Sequence, residues 1–160
     1  MDTVKINSKN VKMIAHRGLS GIERENTNPA FVAAGNRSYF GIETDVHKTK
    51  DGKFVIIHDE TTERVSIGKV NIDVEKSNYS EIENIVLPDK DGTFCRKDIK
   101  IPLLSEYIKI CKKYQKVCVL KLHSPTEVVS EYFEDKIRIG AGTVLTEKQV
   151  ELTARAGGGF

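Results

Sequence analysis

Apolar residues gather in short runs along this chain, each closed by polar residues or glycine. Val11–Ala15, Tyr39–Val46, Lys53–Ile57 and Lys116–Leu122 read as strands, and Lys50-Asp51-Gly52 marks the turn between the second and third. Asn28 is the expected N-cap of a helix, with Pro29 at its first position and Phe31, Val32 and Ala34 starting an apolar face. Leu104, Tyr107, Ile108 and Cys111 recur at helical spacing just before the fourth strand. Residues 60–100 are mixed, with weak strand pieces around Val65–Val74 and a short helical piece near Tyr79–Ile85. Beyond them, Ser124-Pro125-Thr126-Glu127 forms a capping box that opens a helix towards Phe133. Ile137–Ala141 follows as a strand, and Thr146–Gln149 is a second capping box ahead of a helix ending before Gly157.

Strands alternating with helices predict an α/β fold of parallel βα units, a partial TIM barrel within a single domain over 1–160. A full barrel takes about 250 residues, so the sheet is expected to stay open, to close differently, or to be completed by another copy as a homo-oligomer. In such folds the reactive groups collect at the carboxyl ends of the strands. His16 and Arg17 end the first strand, Glu43 and Asp45 lie late in the second, and His58 and Asp59 end the third.

Composition narrows the function classes. Lys and Arg number 25 against 23 Asp and Glu, a formal charge of +2, too balanced to indicate a nucleic-acid partner. The three cysteines have no CxxC spacing and cannot all pair within the chain, so reduced thiols and a cytoplasmic location are expected. No signal-peptide core and no run near the ~18 apolar residues of a membrane span is present, so no membrane anchor is expected.

Glu43 and Asp45 are two apart and share one face of their strand. Two acids so placed repel unless a cation such as Mg²⁺ or Ca²⁺ lies between them, or unless they form a solvated strand edge. His16 and His58 stand at the mouths of apolar strands, and two imidazoles can divide general-base and general-acid work because they titrate near neutrality. Arg17 can present a planar fork to a phosphate oxygen, with Gly18 and Gly21 allowing the backbone to turn. The stretch from Gly140 to Thr143 is a further, weaker candidate for a phosphate cradle.

In order along the chain stand His16-Arg17-Gly18, Glu25-Asn26-Thr27 with Ala30-Phe31, Gly41-Ile42-Glu43-Thr44-Asp45-Val46, Thr49-Lys50-Asp51-Gly52, His58-Asp59, Arg64 and Ile101-Pro102. From about Val11 to Leu120 this set resembles the amino-terminal half of a glycerophosphodiester phosphodiesterase. The resemblance implies a TIM barrel that hydrolyses glycerophosphodiesters, small-molecule substrates, to sn-glycerol 3-phosphate and an alcohol. It further implies His16 and His58 as the acid–base pair, Arg17 as a phosphate contact, and Glu43 and Asp45 as ligands of a divalent metal.

The family carries a third metal-binding carboxylate in a Glu-Leu-Lys motif, and this sequence is expected to have Lys121-Leu122-His123 in its place. A like charge there raises the free energy of a bound cation by roughly 4 kcal/mol at an effective dielectric of 20, unless Lys121 turns away or loses its proton. From Leu120 onward the chain is similar to a segment of the 2-keto-3-deoxy-6-phosphogluconate aldolase family, most specifically at Gly140–Leu145, which implies Thr143 as a polar substrate contact. Its Schiff-base lysine has no counterpart here. The two resemblances predict a splice near Val119–Leu122, and two functions: a metal-dependent diesterase, or a catalytically inactive chimeric scaffold that binds phosphate or phosphosugars.

Overall fold

A computed structural model describes residues 11–123 of the chain. The second strand, β2 (Gly41–Lys48), organises the sheet around β1 (Ile14–Ala15), β3 (Phe54–Ile56) and β4 (Val117–Leu122). β1 lies parallel to β2 with Ile14 beside Gly41, and β4 lies parallel to it from Gly41–Val117 to Val46–Leu122. β3 is antiparallel, pairing Val46 with Ile56 and Lys48 with Phe54. Gly41 has β1 and β4 as neighbours and Val46 has β3 and β4, so β4 fills one edge of β2 while β1 and β3 share the other.

The sheet is therefore mixed, where an all-parallel one was expected. The cause is the Lys50-Asp51-Gly52 turn. Thr49 N–H bonds Lys53 O at 2.8 Å and Gly52 sits at φ 80°, so the chain reverses within a few residues. A connection that short joins antiparallel strands; a parallel pair needs a crossover of a dozen residues or more.

Helices α1 (Asn28–Gly35) and α3 (Leu104–Tyr114) cover one face. Phe31, Ala34, Leu104, Tyr107 and Cys111 pack there against Ile42 and Val46, with Cys118, Leu120 and Leu122 of β4 alongside. The odd-numbered residues Glu43, Asp45 and His47 therefore leave from the opposite face. The N-cap of α1 is Thr27, one residue before the expected Asn28: its Oγ1 accepts from Ala30 N at 3.4 Å. Asn28 is drawn into the helix and donates instead to Glu106 Oε1 of α3 at 3.3 Å.

Tyr107 ties α3 to two strands at once. Its hydroxyl donates to Ile42 O at 2.5 Å and accepts from Val119 N at 3.1 Å, while its ring meets Phe31 edge-on at 5.0 Å. Removing that hydroxyl leaves buried backbone groups short of a partner. Tyr107→Phe is expected to cost about 1–3 kcal/mol in urea unfolding; an unshifted midpoint would show that β2 and β4 close the gap themselves.

Between β3 and α3 the chain builds a second apolar cluster, with Val65, Val74, Ile82, Leu87, Ile99 and Ile101 packed against Val55 and Ile57. The expected helical piece is the single turn α2 (Tyr79–Ile82). The weak strands expected over Val65–Val74 form turns instead, joined to the fold by the isolated bridge Thr61–Asp73. Side chains hold those turns: Thr62 Oγ1 and Ser66 Oγ both donate to Val70 O at 2.8 Å, and Ser66 Oγ accepts from Val70 N at 3.0 Å. Such local bonds offer the backbone an alternative to a strand ladder. The elements expected from Ser124 to Gly157, and Thr143, lie outside the described residues.

Candidate active site

The first strand ends in a left-handed turn, with Arg17 at φ 53° and Gly18 at φ 75°. A Cβ on Gly18 would come within 2.7 Å of the Ala30 carbonyl carbon, so the close approach of this turn to α1 requires glycine. The turn folds Arg17 back over β2. Its N–H donates to Glu43 Oε2 at 3.0 Å, its Nη1 donates to Glu25 Oε1 at 3.1 Å, and its Nε lies 3.2 Å from Asp45 Oδ2, off line for a hydrogen bond. His16 stays on the outside, with a side chain 69% exposed and Nε2 4.0 Å from Glu43 Oε2.

Asp45 is the buried centre of the cluster, 1% exposed. Oδ2 accepts from Asn26 Nδ2 at 2.9 Å, and Asn26 is oriented by accepting from Thr44 Oγ1 at 2.9 Å. Oδ1 lies 3.1 Å from His123 Nε2 and 3.6 Å from Lys121 Nζ. Burial alone would push this carboxyl up, but the hydrogen bonds from His123 and Asn26 and the charges of Arg17 and His58 hold it well below the ordinary carboxylate range.

His58 reaches the cluster through the hairpin. In the antiparallel register each step forward on β3 is a step back on β2, so two residues past Ile56 the chain is level with Thr44 and Asp45. There His58 Nδ1 meets Asp59 Oδ1 at 2.7 Å. Asp59 in turn receives Arg64 Nε, and Arg64 Nη2 donates to Glu25 Oε1 at 2.8 Å. The Arg64 hydrogen bond is the main cause of an Asp59 carboxyl held below its ordinary range.

Arg17, Glu43, Asp45 and His58 are thus brought together, with His16 at the rim beside Glu43. Lys121 faces Asp45 at 3.6 Å, the placement in which its charge opposes a cation there. The register sets Lys121 beside Asp45 and Val119 beside Glu43, so the residue flanking Glu43 on β4 is apolar.

Sequence reasoning passed over His47 and the bracing role of Asn26. His47 stands two residues after Asp45, so strand alternation alone places it on the same face. It is 1% exposed, stacks on His123 with ring centroids 4.5 Å apart, and uses both nitrogens, Nδ1 to Glu75 Oε1 at 3.1 Å and Nε2 to His58 O at 3.2 Å. Asn26 gave no such signal, because its φ of 55° and its reach to Asp45 arise only when the turn after β1 folds over β2.

Among the described residues, one group has the make-up to hold a metal ion: Asp45, His58 and His123 each offer a ligand atom, all within 4.8 Å of one another. No helix of the described residues is long and apolar enough to cross a membrane.

The model of the Glycerophosphoryl diester phosphodiesterase family matches residues 16–149. A glycerophosphodiester phosphodiesterase of Bacillus altitudinis is 37% identical over 101 residues, 62% of this chain and 39% of that protein. A lysophospholipase D of Homo sapiens is 38% identical over 101 residues, 59% of this chain and 31% of its own length. An Oleispira antarctica phosphodiesterase solved with the product sn-glycerol-3-phosphate shares the fold, with a TM-score of 0.68 at 23% identity over 94% of this chain and 64% of that one. The chain spans two-fifths or less of these curated relatives. The family match runs past Val119–Leu122, where a splice was expected, and on to residue 149. Across that span, the chain belongs to the glycerophosphoryl diester phosphodiesterase family.

Proposed function

We propose that this protein hydrolyses glycerophosphodiesters to sn-glycerol 3-phosphate and an alcohol. The observation that carries the reading is the convergence of Arg17, Glu43, Asp45 and His58 on one face of β2, within a chain of this family. Arg17 contacts a phosphate oxygen. Its guanidinium is already oriented by Glu25 and Asp45, so little freedom is lost on binding.

His58 and His16 share the proton transfers. Asp59 accepts from His58 Nδ1–H, which leaves the lone pair on Nε2 to take a proton from the attacking water. His16, solvent-exposed beside Glu43, returns a proton to the leaving alcohol. Glu43 and Asp45 would hold a divalent cation, Mg²⁺ or Ca²⁺ being the class that two carboxylates call for. Such an ion would neutralise charge developing on the phosphoryl oxygens. The oxygens of Glu43 and Asp45 are the donors that suit such a hard cation, while His123 Nε2, 3.1 Å from Asp45 Oδ1, is a nitrogen where a third carboxylate would suit it better. Three free cysteines, Cys95, Cys111 and Cys118, support a cytoplasmic setting.

A second reading, an inactive scaffold that binds phosphate, is favoured by the Lys121–Asp45 pair, which opposes a cation at Asp45. The aldolase-like reading of the tail, with Thr143 as a polar contact, gains nothing from a family match that continues to residue 149. Release of glycerol 3-phosphate from glycerophosphocholine, with and without Mg²⁺ or Ca²⁺, separates the two. Metal-dependent turnover that His16→Ala abolishes supports the hydrolase. Turnover no greater than that of His16→Ala supports the scaffold, and Lys121→Glu would then be expected to raise metal affinity.

A further inference from the structure

The chain has four histidines, His16, His47, His58 and His123, and the last three meet beside Asp45. Their nitrogens are not equivalent. His47 has both committed, to Glu75 and to the His58 carbonyl, so it can only present its ring face, against which His123 stacks at 4.5 Å and 11°. His58 has Nδ1 committed to Asp59 at 2.7 Å, which leaves Nε2 as its donor atom. His123 already points Nε2 at Asp45 Oδ1, at 3.1 Å.

A four-coordinate ion with bonds of about 2.0–2.1 Å to nitrogen and oxygen has ligand atoms about 3.3 Å apart. The hydrogen-bonded Asp45–His123 separation of 3.1 Å is close to that distance. One ligand atom from each of Asp45, His58 and His123 lies within 4.8 Å of the others, so closing on an ion requires the His58 nitrogen to move inward. Each of the three candidate ligands is braced by a further partner, as the ligands of a metal centre are. Asp59 bonds the far nitrogen of His58, Asn26 bonds the far oxygen of Asp45, and His47 fixes the plane of His123. Two imidazoles and one carboxylate are a poor cage for Mg²⁺ or Ca²⁺, which take oxygen, and a good one for a borderline-soft transition metal.

We propose that Asp45, His58 and His123 bind one transition-metal ion of the zinc class, through Oδ1 and two imidazole nitrogens. The ion occupies the lone pair of His58 Nε2. In a hydrolase of the kind proposed above, on which this consequence rests, its binding therefore stops proton transfer by His58 and acts as a brake on turnover. Lys121 opposes it, with Nζ 3.6 Å from the same Oδ1, but a side chain 39% exposed can swing its ammonium into solvent.

The test is a zinc titration of the whole metal-stripped chain in competition with a chromophoric chelator, repeated with Co²⁺ and read from its visible absorption, with Ca²⁺ as the control. One Zn²⁺ per chain is expected, bound tighter than Ca²⁺, with Co²⁺ giving the intense bands of a four-coordinate site. His123→Ala should weaken zinc by about 100-fold, and Asp59→Asn by about 10-fold. Lys121→Met should tighten it about tenfold or more by removing the like charge. If His123→Ala does not fold by circular dichroism, His123→Gln reads the same contact. A zinc affinity no better than that for calcium, or one unchanged in the folded His123 variant, overturns the proposal. Hydrolysis with Mg²⁺ in a chain that lacks a zinc site would remove this inference alone. Zinc binding in a chain that hydrolyses no glycerophosphodiester under any metal would remove the proposed function and leave the site standing.

Discussion

Asp45→Ala is expected to destabilise the fold by about 3–5 kcal/mol, the largest single-residue loss foreseen outside the apolar core. The carboxylate is 1% exposed and answers groups from two parts of the chain: Asn26 and Arg17 from the turn after β1, and Lys121 and His123 from the end of β4. Alanine removes the shared acceptor and leaves the largely buried Arg17 guanidinium with Glu25 as its remaining close counter-charge. A buried charge stripped of a partner costs far more than the intact pair gains. Urea unfolding at neutral pH measures the loss, and a shift below about 1 kcal/mol, the scale of a surface pair, would show that the cluster relaxes freely.

The same residue gives that loss a pH signature. The folded state holds the Asp45 carboxyl below its unfolded value, so its contribution is complete above the ordinary carboxylate pKa of about 3.9 and is lost as pH falls through the depressed folded value. The gap between wild type and Asp45→Ala should therefore stay constant from neutrality to about pH 4 and narrow only below it. A gap that narrows on the alkaline side would contradict this account of the cluster.

His58→Ala is expected to lower kcat for glycerophosphocholine hydrolysis by about 10²–10⁴-fold with little change in KM, the loss typical of a removed proton-transfer group. Stability should change little, because the bond from His47 goes to the His58 backbone carbonyl, which the substitution keeps. Asp59→Asn separates positioning from catalysis. It keeps the side chain's size but removes the charge that fixes His58 and pairs with Arg64, so a smaller fall of about 10-fold is expected, along with a changed pH–rate profile. Full turnover by His58→Ala would assign the proton transfers elsewhere.

Much of this arrangement was legible along the chain. The α1 and α3 helices, the four strands and the short α2 turn follow from spacing and turn chemistry, because each is set by residues close in sequence. His58 and the Glu43–Asp45 pair were readable as candidates for the same reason: strand alternation fixes which side chains share a face. Apart from α2, the segment from residue 60 to 100 was not. Its order comes from a second apolar cluster, in which Val65 and Val74 meet Ile99 and Ile101, contacts between residues far apart in sequence that no local pattern encodes.

Read along the chain alone, the residues supply an inventory: a βα chain with two acids on one strand face, imidazoles at strand ends and a guanidinium beside a glycine turn. Local chemistry suffices for that, since dihedral preference and periodicity act over a few residues. Which of these side chains meet follows from how the strands pair. The tight hairpin made β3 antiparallel and so carried His58 back to Asp45. The β2–β4 register put Lys121 beside Asp45 and Val119 beside Glu43, and the first residue past β4 brought His123 Nε2 within 3.1 Å of Asp45. Register is a property of paired strands, set by burial on both faces at once. A one-residue slip would have turned the same lysine and histidine to the other side of the sheet.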